Sequence, residues 1–184
     1  MRHVAGLLLA PGAGGSRDSS ALVAVEHALD LPVRRIDFPN RMRGSRAPDR
    51  PPAAIAHLRE QADDLAASLG VDPDRIALGG RSFGGRMASM AVAQGQPAAA
   101  LVLLSYPLHP PGKPDRLRVE HLPDVDVPVL AVSGTADPFG TPDELTTHLA
   151  AIAGPLTCTF VPGSHTPKDG DEVARTVAAW LTSL

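Results

Sequence analysis

The chain has 184 residues and a mass of 19.1 kDa, the size of one domain. With 43 % hydrophobic and 20 % charged residues, it can bury a core without disulfide or metal staples, and whole-chain disorder is excluded. Seventeen basic against twenty acidic side chains leave a net charge of −3, which weighs against a general nucleic-acid or anionic-membrane binder. An aromatic content of only 3 % disfavours a stacking groove for single strands and demands a core of Ala, Val, Leu and Ile. The lone Cys158 excludes an intrachain disulfide and a multi-cysteine zinc site. It sits in an apolar stretch and reads as a buried structural thiol.

Residues 4–10 are apolar until Pro11 and Gly12 break the run. They read as a first strand rather than a secretory leader. Nothing in the chain approaches the roughly 20 apolar residues of a membrane span, so the expected setting is cytoplasmic, with no membrane partner. A helix over 21–29 and a strand over 33–38 follow, then a loop over 40–52 rich in Arg, Gly and Pro. Residues 52–69 carry Ile55, Leu58, Ala62, Leu65 and Leu69 at helical spacing, and Gly70 stops the helix. Strands are expected over 75–78, 98–104, 129–132 and 156–161, and helices over 83–94, 142–153 and 171–184. In the last helix Val173, Val177, Trp180, Leu181 and Leu184 share a face. The connection 107–128 holds prolines at 107, 110, 111, 114, 123 and 128 and cannot form a long helix. Strands apolar on both faces, alternating with helices, indicate a mainly parallel six-stranded sheet in a three-layer α/β/α sandwich. No repeat or long linker divides residues 1–184.

The chemistry concentrates at Gly80-Arg81-Ser82-Phe83-Gly84, directly after a strand and directly before a helix. Small residues two before and two after a serine allow a sharp strand-to-helix turn that lifts its hydroxyl to the carboxyl edge of the sheet. The Phe83 N–H at the helix start can then face an oxyanion. A glycine-rich turn of another α/β fold is the bland alternative. No Gly-Lys-Ser/Thr follows, however, and the first turn, Pro11 to Gly15, lacks the dinucleotide fingerprint.

A serine nucleophile needs a base and an orienting acid. Asp137 follows the fifth strand and His165 the sixth, in the order Ser, acid, His. Asp143 and Glu144 instead sit at a helix start, where acids favour the dipole. Asp124 and Asp126 precede the fifth strand, at the wrong edge. His109 and His121 lie in the proline-rich connection; His109 could approach the pocket, but a solvated loop histidine is the plainer reading. The remaining histidines look incidental. The small residues after the first strand would let backbone donors approach a substrate, with Ala13 the preferred second oxyanion donor and Gly12 next to it.

These segments, together with Tyr106-Pro-Leu-His-Pro-Pro-Gly-Lys-Pro114 and Gly134-Thr-Ala-Asp-Pro-Phe-Gly140, resemble the α/β-hydrolase superfamily, specifically its small lidless members similar to dienelactone hydrolase. The resemblance is closest to a bacterial branch with eukaryotic relatives among chromatin-complex subunits. It spans residues 4–184. It implies a minimal fold without the first two strands of a full-length member, and the strand order second, first, third, fourth, fifth, sixth, all parallel. Dienelactone hydrolases carry a cysteine where this chain has Ser82, so their substrate is not transferred. The first loop also begins Ala-Pro-Gly where many hydrolases have His-Gly.

The expected activity is a serine hydrolase of a small ester, thioester or related acyl substrate, with Ser82, Asp137 and His165 as the triad, Phe83, Ala13 and Gly12 at the oxyanion hole, and no metal or organic cofactor. A shallow pocket is expected beside Tyr106, Leu108 and Phe139, with Arg81 as a further substrate contact. Arg41, Arg43, Arg46 and Arg50 either recognise an anionic group or form a solvated surface. The alternatives are a non-catalytic interaction module that keeps the fold, and an acyltransferase using the same triad.

Overall fold

The computed structural model describes residues 3–184. The strands β1 (Gly6–Ala10), β2 (Val33–Arg35), β3 (Ile76–Arg81), β4 (Ala100–Leu104), β5 (Val129–Gly134) and β6 (Leu156–Val161) form one sheet. Its order is β2-β1-β3-β4-β5-β6 with every neighbouring pair parallel, the arrangement that the resemblance implies.

Along the inner strands both alternating sets of side chains are apolar because both faces are covered. Leu7, Leu9, Val102, Leu130 and Val132 pack with Leu22 and Val25 of α1 (Ser20–His27) and with Val173, Val177 and Leu181 of α6 (Gly170–Thr182). On the opposite face Leu8, Ala10, Leu78, Leu101 and Leu103 meet three further helices, α3 (Pro51–Leu69), α4 (Phe83–Ala93) and α5 (Pro142–Leu149). Edge strands β2 and β6 are only partly buried. Cys158 therefore stands half-buried on β6, not in the deep core, and its partial burial raises the thiol pKa.

Local chemistry sets the helix ends. Pro51 opens α3, where its missing N–H costs nothing, and Gly70 closes it at φ +67°. Thr141 and Glu144 form a reciprocal capping box on α5, a structural use of the acid at that helix start. The Asp169 carboxylate accepts from the N–H groups of Asp171 and Glu172 to open α6.

Several segments differ from the sequence pattern: β2 stops at Arg35, short of residue 38, and α5 at Leu149, short of residue 153. Strand β3 runs on through Gly79 and Gly80 to Arg81, paired with β4 all the way to Leu104, and the neighbouring backbones come too close for a Cβ at either glycine. Within the Arg-rich loop, Pro39–Met42 forms a short helix, α2. The connection after β4 contains no α-helix, only one 3-10 turn at Leu122–Asp124. It is pinned by the Tyr106 hydroxyl, which donates to the Arg118 carbonyl at 2.6 Å, and by Leu108, Leu122 and Val125 in the core. Among the described residues no helix is long and apolar enough to cross a membrane.

Candidate active site

Strand β3 delivers Ser82 to the carboxyl edge, and α4 begins at the next residue. The turn between them holds Ser82 at φ 49°, ψ −113°, a strained conformation that persists only where the surroundings over-determine it. Here the Ser82 N–H donates to the Leu104 carbonyl at 2.8 Å and its carbonyl accepts from the Arg86 N–H at 3.0 Å. A side chain at Gly80 or at Gly84 would collide with the same atom, the Ala10 carbonyl oxygen. That shared close approach is why glycine stands on both sides of the serine.

Two further loops complete the arrangement. The Asp137 loop after β5 and the His165 loop after β6 are tied by Thr135 N–H to the Val161 carbonyl (2.9 Å) and Ala136 N–H to the Gly163 carbonyl (2.8 Å). Gly163 turns the chain at φ 136°, and a Cβ at Gly134 would strike the Ser164 carbonyl. Asp137 is buried, 2 % exposed. Its carboxylate accepts from His165 Nδ1 at 2.9 and 3.0 Å and from the Phe139 N–H at 2.9 Å. Because a carboxylate only accepts, Nδ1 carries the proton. That leaves Nε2 of the neutral ring to accept from the Ser82 hydroxyl, 2.8 Å away.

Phe139 stacks on the His165 ring, centroids 4.1 Å apart at 30°, and so covers one face of the imidazole. Arg81 turns to the His165 loop: Nη2 donates to the His165 carbonyl at 3.1 Å and to Thr166 Oγ1 at 2.9 Å. Desolvation lowers the Arg81 pKa, and the Asp137 charge offsets part of that. Its outer side lines a cleft of about 590 Å³ between α1 and the start of α6, with Ser20, Ser105, Thr166 and Lys168. The N–H groups of Phe83, Ala13 and Gly12 have no hydrogen-bond partner among the described residues. Gly12 lies against Ser82, its Cβ position 3.7 Å from the serine Cβ.

Tyr106 and Leu108 stand elsewhere than at a pocket edge. At 1 % and 0 % exposure they are core residues that anchor the connection, because the Tyr106 hydroxyl finds its partner on that loop and not in solvent. His109 is likewise buried rather than solvated, with Nδ1 against the Pro110 carbonyl and Nε2 3.5 Å from Glu144. His121 meets Ser89 Oγ at 2.7 Å. Burial, and then the charge of Arg86, push its pKa down to about 4. Among the described residues no three His, Cys, Asp or Glu side chains converge as a metal cage requires. Sequence reasoning missed Thr166 and the stacking role of Phe139. The adjacency of Thr166 to His165 was the one available signal.

Residues 3–178 match the alpha/beta hydrolase domain family, and the chain belongs to that family. Among solved structures it is similar to a dienelactone hydrolase from Anabaena variabilis, at 23 % identity and a TM-score of 0.75 over 98 % of this chain and 86 % of that one. Est1E from Butyrivibrio proteoclasticus, solved with ferulic acid bound, matches at 17 % identity and a TM-score of 0.76, covering 97 % and 88 %. The RedJ thioesterase of the prodiginine biosynthetic pathway in Streptomyces coelicolor matches at 18 % and 0.69, covering 95 % and 89 %. At these identities the likeness is one of fold.

Proposed function

We propose that this protein is a cytoplasmic serine hydrolase that cleaves small esters, thioesters or related activated acyl groups. The observation that carries the reading is the continuous chain Ser82 Oγ, His165 Nε2, His165 Nδ1, Asp137, with links of 2.8 Å and 2.9–3.0 Å, headed by a serine in a strained elbow. The family, and the dienelactone hydrolase and thioesterase among its structural neighbours, support it.

His165 takes the Ser82 proton as Oγ attacks the acyl carbonyl, and the buried Asp137 carboxylate stabilises the imidazolium that forms. The unpartnered N–H groups of Phe83 and Ala13, with Gly12 adjacent, receive the developing oxyanion; such donors are each worth about 10²–10³ in rate. His165 returns the proton to the leaving group, and water then repeats the sequence to release the acid and regenerate Ser82. With no α-helix in the connection after β4, only the 3-10 turn at Leu122–Asp124, the site suits small or extended acyl groups.

A fluorophosphonate probe should label the wild type at Ser82 and leave Ser82→Ala unlabelled, while a panel of p-nitrophenyl esters is cleaved with preference for short chains. A folded wild type that neither labels nor turns over any ester would refute the reading and leave the non-catalytic interaction module standing.

A further inference from the structure

The segment 38–50 forms a wall at the mouth of the site. Phe38 meets Phe83 edge-on, ring centroids 5.3 Å apart at 73°, and the Arg46 carbonyl lies 3.6 Å from the Cβ position of Gly14 in the first loop. The wall is built from within: Asp49 accepts from the Asn40 N–H at 2.7 Å and pairs with Arg43, while Asn40 Nδ2 donates to the Ser45 carbonyl at 3.0 Å. Asp49 is the segment's one carboxylate, and this construction uses it up.

Arg41, Arg46 and Arg50 are therefore left exposed, with no hydrogen bond or ion pair to their guanidinium groups among the described residues. Elsewhere arginines are mostly held: Arg34 by Gln61 and Ser68, Arg59 by the Ala91 and Gln94 carbonyls, Arg75 by the His3 carbonyl. Met42 stands among the three at 75 % exposure. On a chain of net charge −3, three uncompensated cations around an exposed thioether make a local positive field beside the nucleophile.

We propose that this wall binds the phosphate-bearing part of the substrate, which is an acyl thioester whose thiol carries several phosphates, as coenzyme A does. The proposal rests on the serine-hydrolase reading. Guanidinium forks match phosphate oxygens bidentately, and Met42 offers apolar contact to the uncharged arm that joins the phosphates to the sulfur. The reaction balances without a further reagent. Ser82 Oγ bonds to the acyl carbon as the C–S bond breaks, and the serine proton passes through His165 to the thiolate. Water then cleaves the acyl-serine ester to the carboxylic acid and returns a proton to Ser82.

The test compares kcat/KM for acetyl-coenzyme A with that for the neutral S-acetyl-N-acetylcysteamine, in wild type, in Arg41→Gln/Arg46→Gln/Arg50→Gln, and in Arg175→Gln as a remote charge control. The wild type should favour the phosphorylated thioester by roughly tenfold or more. The preference should shrink as salt rises, fall by about that factor in the triple variant, mostly through KM, and persist in the control. Equal turnover of both thioesters, a salt-insensitive preference, or a triple variant that keeps it would overturn the proposal while the hydrolase reading stands. Loss of fluorophosphonate labelling in folded wild type would overturn that reading as well.

Discussion

Replacing Arg81 separates a substrate contact from a positioning group. Its guanidinium spends two hydrogen bonds, 3.1 and 2.9 Å long, on the His165 carbonyl and Thr166 Oγ1. It is half-buried and forms no ion pair among the described residues, although the Asp137 charge is felt there. A charge-assisted hydrogen bond is worth about 1.5–3 kcal/mol when buried and under about 1 kcal/mol when exposed. Two bonds at partial exposure therefore contribute about 1.5–2.5 kcal/mol to holding the His165 loop over Ser82. At about 1.36 kcal/mol per tenfold, Arg81→Ala should lower kcat roughly 10- to 70-fold while KM for a small neutral ester barely moves. Steady-state kinetics with p-nitrophenyl acetate reads the split. Arg81→Lys should recover only part of the loss, since an ammonium lacks the fork, and added guanidinium should restore activity to the alanine variant. An unchanged kcat with a raised KM would refute the positioning role and return Arg81 to the substrate side.

Gly84→Ala should destabilise the protein by about 1–3 kcal/mol. Its Cβ falls within 2.6 Å of the Pro11 carbonyl and against the Ala10 backbone, even though alanine is the better helix former. A urea midpoint at or above wild type would contradict this. His121 predicts a pH effect: held at about 4 by burial, then by Arg86, against the opposing pull of Glu120 and Asp124, it stays neutral in the folded protein while the unfolded chain takes a proton below about 6.5. Stability should thus fall as pH drops from about 6.5 towards 4 and be unaffected by this group above that window. After allowance for solvent screening of a partly exposed ring, the contribution at pH 5 is about 1 kcal/mol. His121→Gln should flatten the urea-midpoint profile between pH 7 and pH 5, and parallel profiles would dismiss it.

The strands and helices were legible because hydrophobic periodicity is local and the inner strands are buried on both faces, whereas the sheet order was carried by the family resemblance and not by the pattern. Ser82, Asp137 and His165 were legible as positions because each follows a strand, and parallel strands carry such positions to one edge. What the pattern could not carry was side-chain direction beyond those edges. Tyr106 and Leu108 follow β4 much as Phe139 follows β5, yet the first two turn down into the core, where Arg118 returns to meet the Tyr106 hydroxyl, and the third turns up onto His165. Arg81 was legible as a cation next to Ser82. That it faces the His165 carbonyl depends on a contact 84 residues away in sequence. Likewise the division of the Arg-rich loop into one paired and three unpaired guanidiniums depends on where Asp49 folds back.

The glycines around Ser82 connect these observations. Because Gly80 and Gly84 both press on the Ala10 carbonyl, the end of β1 is fixed against the elbow itself. The next residues, Pro11 and Gly12, then carry the chain past Arg81 and Ser82. The separation of the two proposed oxyanion donors, Phe83 N–H at the start of α4 and Ala13 N–H in the first loop, is thereby set by backbone contact with no side chain between them. An elbow with alanine at either glycine could still raise a serine to the sheet edge. It would push β1 away and part the donors, so on the proposed function the motif's spacing serves the oxyanion geometry as much as the nucleophile. The His165 loop is held differently, through the Arg81 side chain and the Gly134–Ser164 approach. On the proposed function, loss of a glycine beside Ser82 should therefore damage oxyanion stabilisation and the β1–elbow packing together, whereas loss of Arg81 should damage general-base positioning and loosen the His165 loop alone.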